Sequence, residues 1–342
     1  MKISIVADTD SGQMNGVAVS VERLSSELSA MGHEVQVVDL DGVTCIPAGR
    51  FSPGLSIATP LSAWSVVKDK VEEFEPEHVH VATEGMVGLC GLKLAKQKGL
   101  TTSSCSHTDW DSILGKMFPP VGGMFGRWLS RRTTGVDIRF FRNSLEASAW
   151  SAKGKRSAVL RGGVDDCFRY RDQTLDGDIL FAGRLSPEKG LDHLRGLADA
   201  GLLVSIAGSG PMERHMMLKH ENIRMLGRLD KFSLADQMRK HRCLAFPGMS
   251  DTLGLVCLEA ACCGLPSVGF KNKATDESIV HGVTGFCGTE LHRSVMLAMR
   301  LDRAKCSRFA LNMWGPGAMG ESFVSGLRSA GILDGRMAKS AV

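Results

Sequence analysis

No stretch of this chain is apolar for long enough to cross a bilayer, and Met1-Lys2-Ile3-Ser4-Ile5-Val6 turns acidic by Asp8, too soon for a secretory leader. The expectation is a chain that meets a membrane only peripherally. No CxxC pair occurs among the ten cysteines, whose one close pair, Cys262 and Cys263, lies inside an apolar run. They read as small core residues of a protein kept in a reducing compartment, with a cytoplasmic location expected. Strong charge of either sign is also missing, because basic residues exceed acidic ones by only four. That balance is too mild to imply a nucleic-acid partner. Short-period repeats are absent as well.

What is present is alternation. At 342 residues the chain suits two α/β domains. Ile3–Ala7 is a short apolar run that stops at Asp8, as a buried parallel strand does. Val17, Val21, Leu24, Leu28 and Met31 then recur at helical spacing, Gly32 ends the helix, and Val35–Leu40 forms a second strand. This is a βαβ unit with a right-handed crossover. Strands at 78–82 and 101–106 flank a helix over 87–98, and strands at 138–141 and 158–160 complete a first doubly wound sheet. Arg161–Asp166 reads as a linker. A second series follows, with strands at 179–182, 202–207, 223–226, 243–246 and 266–270, and the chain beyond Glu290 is helical up to a loose tail at 337–342.

Two constellations carry chemistry. Gly183-Arg184-Leu185-Ser186-Pro187-Glu188-Lys189-Gly190 leaves a strand and opens a helix, with Ser186 as N-cap and Pro187 in the first position. Arg184 and Lys189 then stand where free N–H groups favour anions, which suits a diphosphate clamp. An ordinary capped helix with solvated charges fits the same residues. In Ser250-Asp251-Thr252-Leu253-Gly254-Leu255-Val256-Cys257-Leu258-Glu259, helical spacing puts Glu259 among Leu255, Leu258 and Cys262. A carboxylate there needs a partner or a ligand's hydroxyls. Asp251 lies about 8–12 Å away at helical rise, far enough for two acids to hold opposite ends of one long ligand. A structural Glu259 with Asp251 as an N-cap is the alternative.

Weaker signals come from single positions. Gly208, in Gly208-Ser209-Gly210-Pro211, and Gly16, in Met14-Asn15-Gly16-Val17, offer bare backbone before a helix, as plain turns also do. His107 and Glu84 stand at C-terminal strand ends, the edge of an open α/β sheet where ligands lie. Asp8-Thr9-Asp10 has the form of a metal triplet but follows the first strand of a doubly wound domain, with no second ligand cluster at comparable spacing. It reads as loop chemistry, and no metal is expected. Arg127, Arg131, Arg132, Arg139 and Arg142 make a basic stretch that suits either an anionic membrane or a solvated face.

These motifs resemble glycosyltransferase family 4 over nearly the whole chain. The opening Ile5–Thr9 and Asn15-Gly16-Val17, followed by Glu27-Leu28 and Gly32-His33-Glu34-Val35, looks like the subgroup of mannosyltransferases and sulfolipid synthases that act on membrane lipids. Gly183-Arg184-Leu185 with Glu188-Lys189-Gly190 is similar to the family's phosphate motif, and the interval of eight between Asp251 and Glu259 matches its spaced carboxylates. The resemblance implies an α/β GT-B fold, two Rossmann-like doubly wound parallel-sheet domains facing across a cleft. It places the acceptor-side domain at 1–162, the donor domain at 163–315, and a C-terminal helix with tail at 316–342 packing back on the first domain.

By position, the resemblance also implies that Arg184 and Lys189 neutralise the donor's diphosphate, Glu259 binds ribose hydroxyls and Asp251 those of the transferred sugar. The backbone at Gly254 and Leu255 meets phosphate, His107 stands beside the sugar, and Gly16 lies near the phosphates. Asp251 stands where many members have Glu, and Leu253 replaces the usual Phe, which shifts sugar choice more than activity. The implied activity is metal-independent hexosyl transfer with retention, from a nucleotide sugar such as GDP-mannose or a UDP-hexose to a lipid or glycan. Glu84 is an acceptor-side contact in this reading. A sugar-nucleotide epimerase and an inactive nucleotide-sugar-binding homologue share the architecture.

Overall fold

The computed structural model describes residues 1–9, 16–47, 56–106, 124, 131–216, 220–249, 251 and 253–333. It divides into two compact units, Met1–Arg161 with the chain from Met319 onward, and Gly162–Ala318.

The first unit holds a parallel sheet ordered β2-β1-β5-β6-β7-β8. Its strands are β1 (Lys2–Val6), β2 (Glu34–Val38), β5 (His78–Val81), β6 (Thr101–Ser106), β7 (Ile138–Phe141) and β8 (Ser157–Val159). Ile3, Ile5, Val79 and Phe140 are buried because a strand covered on both faces exposes neither set of alternate side chains. Helix α1 (Gly16–Ala30) turns Val21, Leu24 and Leu28 inward, and Gly32, at φ +85°, reverses the chain into β2. Among the described residues, helices α2 (Pro60–Phe74), α3 (Met86–Gln97) and α4 (Ser144–Ser151) serve further crossovers. A small antiparallel hairpin, β3 (Cys45–Pro47) with β4 (Ser56–Ala58), escapes the sequence reading because each strand offers a single large apolar residue, Ile46 or Ile57, and so no run or alternation.

The second unit holds a parallel sheet ordered β11-β10-β9-β12-β13-β14. Its strands are β9 (Gly177–Ala182), β10 (Val204–Ala207), β11 (Ile223–Gly227), β12 (His241–Phe246), β13 (Ser267–Gly269) and β14 (Gly285–Cys287). Between and after them run α5 (Asp192–Asp199), α6 (Glu213–Met216), α7 (Lys231–Lys240), α8 (Leu255–Cys262), α9 (Lys273–Ser278), α10 (Leu291–Ala298) and α11 (Arg303–Trp314). The expected linker is packed from its second residue: a Cβ on Gly162 would lie 2.2 Å from Leu258 Cδ1, and the Val164 N–H donates to the Trp314 carbonyl at 2.9 Å.

The last helix among the described residues, α12 (Ala318–Ser329), belongs to the first unit. Its Met319, Phe323 and Leu327 are fully buried, and Phe323 stacks on Phe140 at 4.9 Å between ring centroids. Gly326 permits the approach, since a Cβ there would meet the Phe140 ring at 2.4 Å. All ten cysteines are free thiols, seven of them buried, which fits packing residues.

Candidate functional site

In each sheet the strand order reverses beside the first strand, between β1 and β5 in the first unit and between β9 and β12 in the second. Loops leaving the C-terminal ends of such a pair diverge and open a crevice. The loops after β9 and β12 carry both expected constellations.

After β9 the chain runs through exposed Gly183 and Arg184 to buried Leu185 and Ser186. Gly208 and Gly210 spend their bare backbone on this loop, since a Cβ on Gly208 would sit 1.9 Å from the Gly183 carbonyl oxygen and one on Gly210 2.4 Å from that of Leu185. The expected capped helix is a 3-10 turn, Pro187–Lys189, that Gly190 ends at φ +66°. Ser186 does not cap it; its hydroxyl donates to the Glu188 carboxylate instead. Burial acts upward on the Glu188 pKa, but that hydroxyl and the charges of Arg184 and Lys189 outweigh it and hold the carboxyl below its usual range.

After β12, the Pro247 carbonyl abuts Gly190, and Asp251 comes under the first loop. Lys189 Nζ donates to Asp251 Oδ1 at 2.5 Å, with both side chains about one-fifth exposed. The other oxygen, Asp251 Oδ2, is buried and has no hydrogen-bond partner among the described residues. Gly254 enters α8 in the left-handed region at φ +69° against Phe246 and Ser278, leaving the first turn of α8 without a side-chain cap. Leu253 and Leu258 are buried, whereas Glu259 is partly buried and close enough to Cys167, Cys262 and Cys263 that its charge pushes their thiols further up, after burial. Arg184, Lys189, Asp251, Gly254, Leu255 and Glu259 thus all stand at the β9/β12 reversal. Sequence reading did not anticipate the direct Lys189–Asp251 pair; its signal is that both residues follow strands that become neighbours.

In the first unit Gly16 opens α1, exposed. His107, Arg127 and Asp10 lie outside the described residues. Glu84, expected on the acceptor side, is 2% exposed and ion-paired with buried Arg139 at 3.6 Å. Arg139 and Arg142 are likewise buried, because they ride on and just after β7, so the basic face loses both and keeps exposed Arg131 and Arg132. Asp8 accepts hydrogen bonds from the Val87 N–H at 2.7 Å, the Gly88 N–H at 3.2 Å and the Thr83 hydroxyl at 2.7 Å. It caps α3 from another strand, and burial nevertheless raises its pKa. No group of three or more His, Cys, Asp or Glu among the described residues is placed to hold a metal ion.

Residues 14–144 match the family described as Glycosyltransferase Family 4, and residues 170–308 the family described as Glycosyl transferases group 1. A GDP-mannose-dependent alpha-(1-6)-phosphatidylinositol dimannoside mannosyltransferase of Mycobacterium tuberculosis is 24% identical, over 90% of this chain and 91% of its own. A GDP-mannose-dependent alpha-mannosyltransferase of Corynebacterium glutamicum is also 24% identical, over 83% of this chain and 76% of its own. Among solved structures, sucrose-phosphate synthase from Thermosynechococcus elongatus superposes with a TM-score of 0.79 at 14% identity, covering 96% of this chain and 98% of that one. Anabaena HepE in complex with UDP and glucose gives 0.68 at 16% identity, covering 96% and 100%. With both stretches matched, the spaced motifs in place and two doubly wound parallel sheets, the chain belongs to glycosyltransferase family 4, as a hexosyltransferase of GT-B fold in the mannosyltransferase-like group.

Proposed function

We propose that this protein transfers a hexose from a nucleoside-diphosphate sugar, GDP-mannose or a UDP-hexose, to a lipid or glycan acceptor, with retention of configuration and without a metal ion. The second unit takes the donor and the first unit the acceptor. The reading rests on the Lys189–Asp251 pair at 2.5 Å, a cation and an acid converging from two loops at the strand-order reversal. Breaking the sugar–phosphate bond leaves negative charge on a diphosphate, and fixed cations stabilise that charge as it develops. Arg184 and Lys189 supply them, with the N–H groups of Gly254 and Leu255 at the start of α8. Glu259 holds the ribose hydroxyls. Asp251 holds hydroxyls of the transferred sugar through Oδ2, which is the oxygen not bonded to Lys189. Gly208 and Gly16 border the diphosphate, and His107 stands beside the sugar. No side chain is assigned as a covalent nucleophile.

The test is transfer from a panel of sugar nucleotides in excess chelator, with the anomeric configuration of the product read by NMR. Product of retained configuration is expected. Activity that disappears with chelator would reject the metal-free reading, and hydrolysis or epimerisation of donor without acceptor would reject transfer. Peripheral contact with an anionic membrane at the cytoplasmic face is part of the reading, supported by the exposure of Arg131, Arg132, Lys153, Lys155 and Arg156 and of Leu145, which is 73% exposed. Salt-sensitive binding to anionic vesicles is expected, and none at low salt would discard it.

A further inference from the structure

Asp251 stands on a loop, five residues past the end of β12 and four before α8, so its carboxylate keeps its place only if that loop is tied down. The tie runs through Gly248, which is buried and whose carbonyl accepts from Asn272 Nδ2 at 3.2 Å. Asn272 Nδ2 also donates to the Phe270 carbonyl at 3.1 Å and reaches Met249 Sδ at 3.8 Å. Its Oδ1 accepts from the Ala274 N–H at 2.9 Å and the Thr275 N–H at 3.1 Å, which is the cap of α9. The two ends of one amide thus do different work. A cap needs only the oxygen, which serine or aspartate supplies as well, whereas the N–H donors that hold the loop after β12 belong to asparagine. Gly248 has no conformational need to be glycine, because its backbone lies outside the left-handed region. Its need is space: a Cβ would lie 3.1 Å from Asp251 Oδ2 and 3.4 Å from both the Glu188 carbonyl oxygen and Lys189 Cα. The position faces both members of the Lys189–Asp251 pair.

We propose that Asn272 and Gly248 are positioning residues for Asp251. Asn272 anchors the loop by the Gly248 carbonyl, and the bare Gly248 leaves Asp251 Oδ2 free to meet the hydroxyls of the transferred sugar. The sugar contact rests on the function proposed above; the anchoring does not. A carboxylate displaced by about 1 Å loses its hydroxyl partners, and an error of that size costs a reaction about 100-fold. Arg184 and the first turn of α8 still hold the diphosphate, so the effect falls on the sugar half of the donor.

The experiment compares the wild type with Asn272→Ser and Gly248→Ala, using GDP-mannose with GDP and UDP-glucose with UDP as paired ligands. Serine caps a helix as asparagine does but cannot reach Gly248, and alanine at 248 adds one methyl group against Asp251 Oδ2. In both variants kcat is expected to fall by about tenfold or more, and the sugar nucleotide to bind about fivefold more weakly, with the Kd of the matching nucleoside diphosphate within about twofold of the wild type. Asn272→Ala, which loses cap and anchor together, has turnover like that of Asn272→Ser and a lower thermal midpoint. Wild-type turnover in Asn272→Ser overturns the anchor and leaves Asn272 a helix cap. Equal weakening of sugar nucleotide and nucleoside diphosphate in both variants overturns the assignment to Asp251. If the wild type transfers from no sugar nucleotide, the proposed function fails and a crystal structure of Asn272→Ser decides the anchor: Asp251 drawn away from Lys189 is expected, and a loop at 247–251 that superposes on the wild type overturns it.

Discussion

Lys189 and Asp251 are 62 positions apart in sequence and 2.5 Å apart in space. On the proposed function this pair holds Lys189 in place for the donor's diphosphate, and Lys189→Ala then removes a cation that acts mainly as the leaving group departs. We expect kcat/KM to fall by about 100-fold or more in Lys189→Ala and in Glu259→Ala, a transition-state loss of about 3 kcal/mol, with circular dichroism unchanged. Near-normal turnover in both would reject the site. A second residue-scale prediction concerns His78. Thr101 Oγ1 donates to the Glu77 carbonyl at 3.0 Å, so it accepts from His78 Nδ1–H at 2.9 Å, and His78 Nε2 then accepts from Ser103 Oγ at 2.7 Å. Ser103 Oγ in turn accepts from His80 Nδ1–H at 2.8 Å. Burial lowers the His78 pKa from 6.5 to about 3, so the folded state keeps the ring neutral while the unfolded chain takes up a proton. The stability this provides is complete above the unfolded value and is lost as pH falls from 6.5 towards 3. Urea midpoints across that window should drop, and His78→Asn should flatten the decline; parallel profiles would contradict the assignment.

Helix ends show how elements are fixed by residues outside them. Gly85 is the N-cap of α3 and has no side chain to offer; a Cβ there would lie 2.3 Å from Asp8 Cγ. The cap comes instead from Asp8, which the sequence shows only as a loop residue after β1. Asp8→Ala should cost about 1–2 kcal/mol for the cap, read as a lower urea midpoint with m unchanged. By contrast, Asn272 caps α9 locally, with Thr275 returning the bond to the Asn272 N–H at 2.9 Å, and Asn272→Ala should cost about 1 kcal/mol. Phe323→Ala in α12 removes a ring stacked on Phe140 and should cost about 3–5 kcal/mol. Regular strands and long amphipathic helices were legible because each repeats its period several times. The β3–β4 hairpin and β14 were not, since each offers one large apolar residue, Ile46, Ile57 or Phe286, between small or turn-forming neighbours. The 3-10 turn at 187–189 reads as a helix start because Ser186-Pro187 suits either, and the choice is made by Gly190 meeting the Pro247 carbonyl.

At the scale of the whole molecule, two units with separate cores make unfolding a poor fit to one two-state transition. Hydrogen exchange with donor bound should slow at 183–190 and 247–259, with stabilisation of about 2.7 kcal/mol at a hundredfold excess over Kd. Slowing confined to other segments would move the donor elsewhere. The sequence by itself determined the tandem α/β alternation, the parallel sheets and the spacing of the carboxylate motif, because periodicity, caps and intervals are local properties of a chain. Tertiary structure alone decided that Lys189 meets Asp251, that Asp8 caps α3, and that Glu84, Arg139 and Arg142 are buried. Each of those depends on which strands become neighbours, and strand order is set by the burial of the whole sheet, not by any one segment's composition.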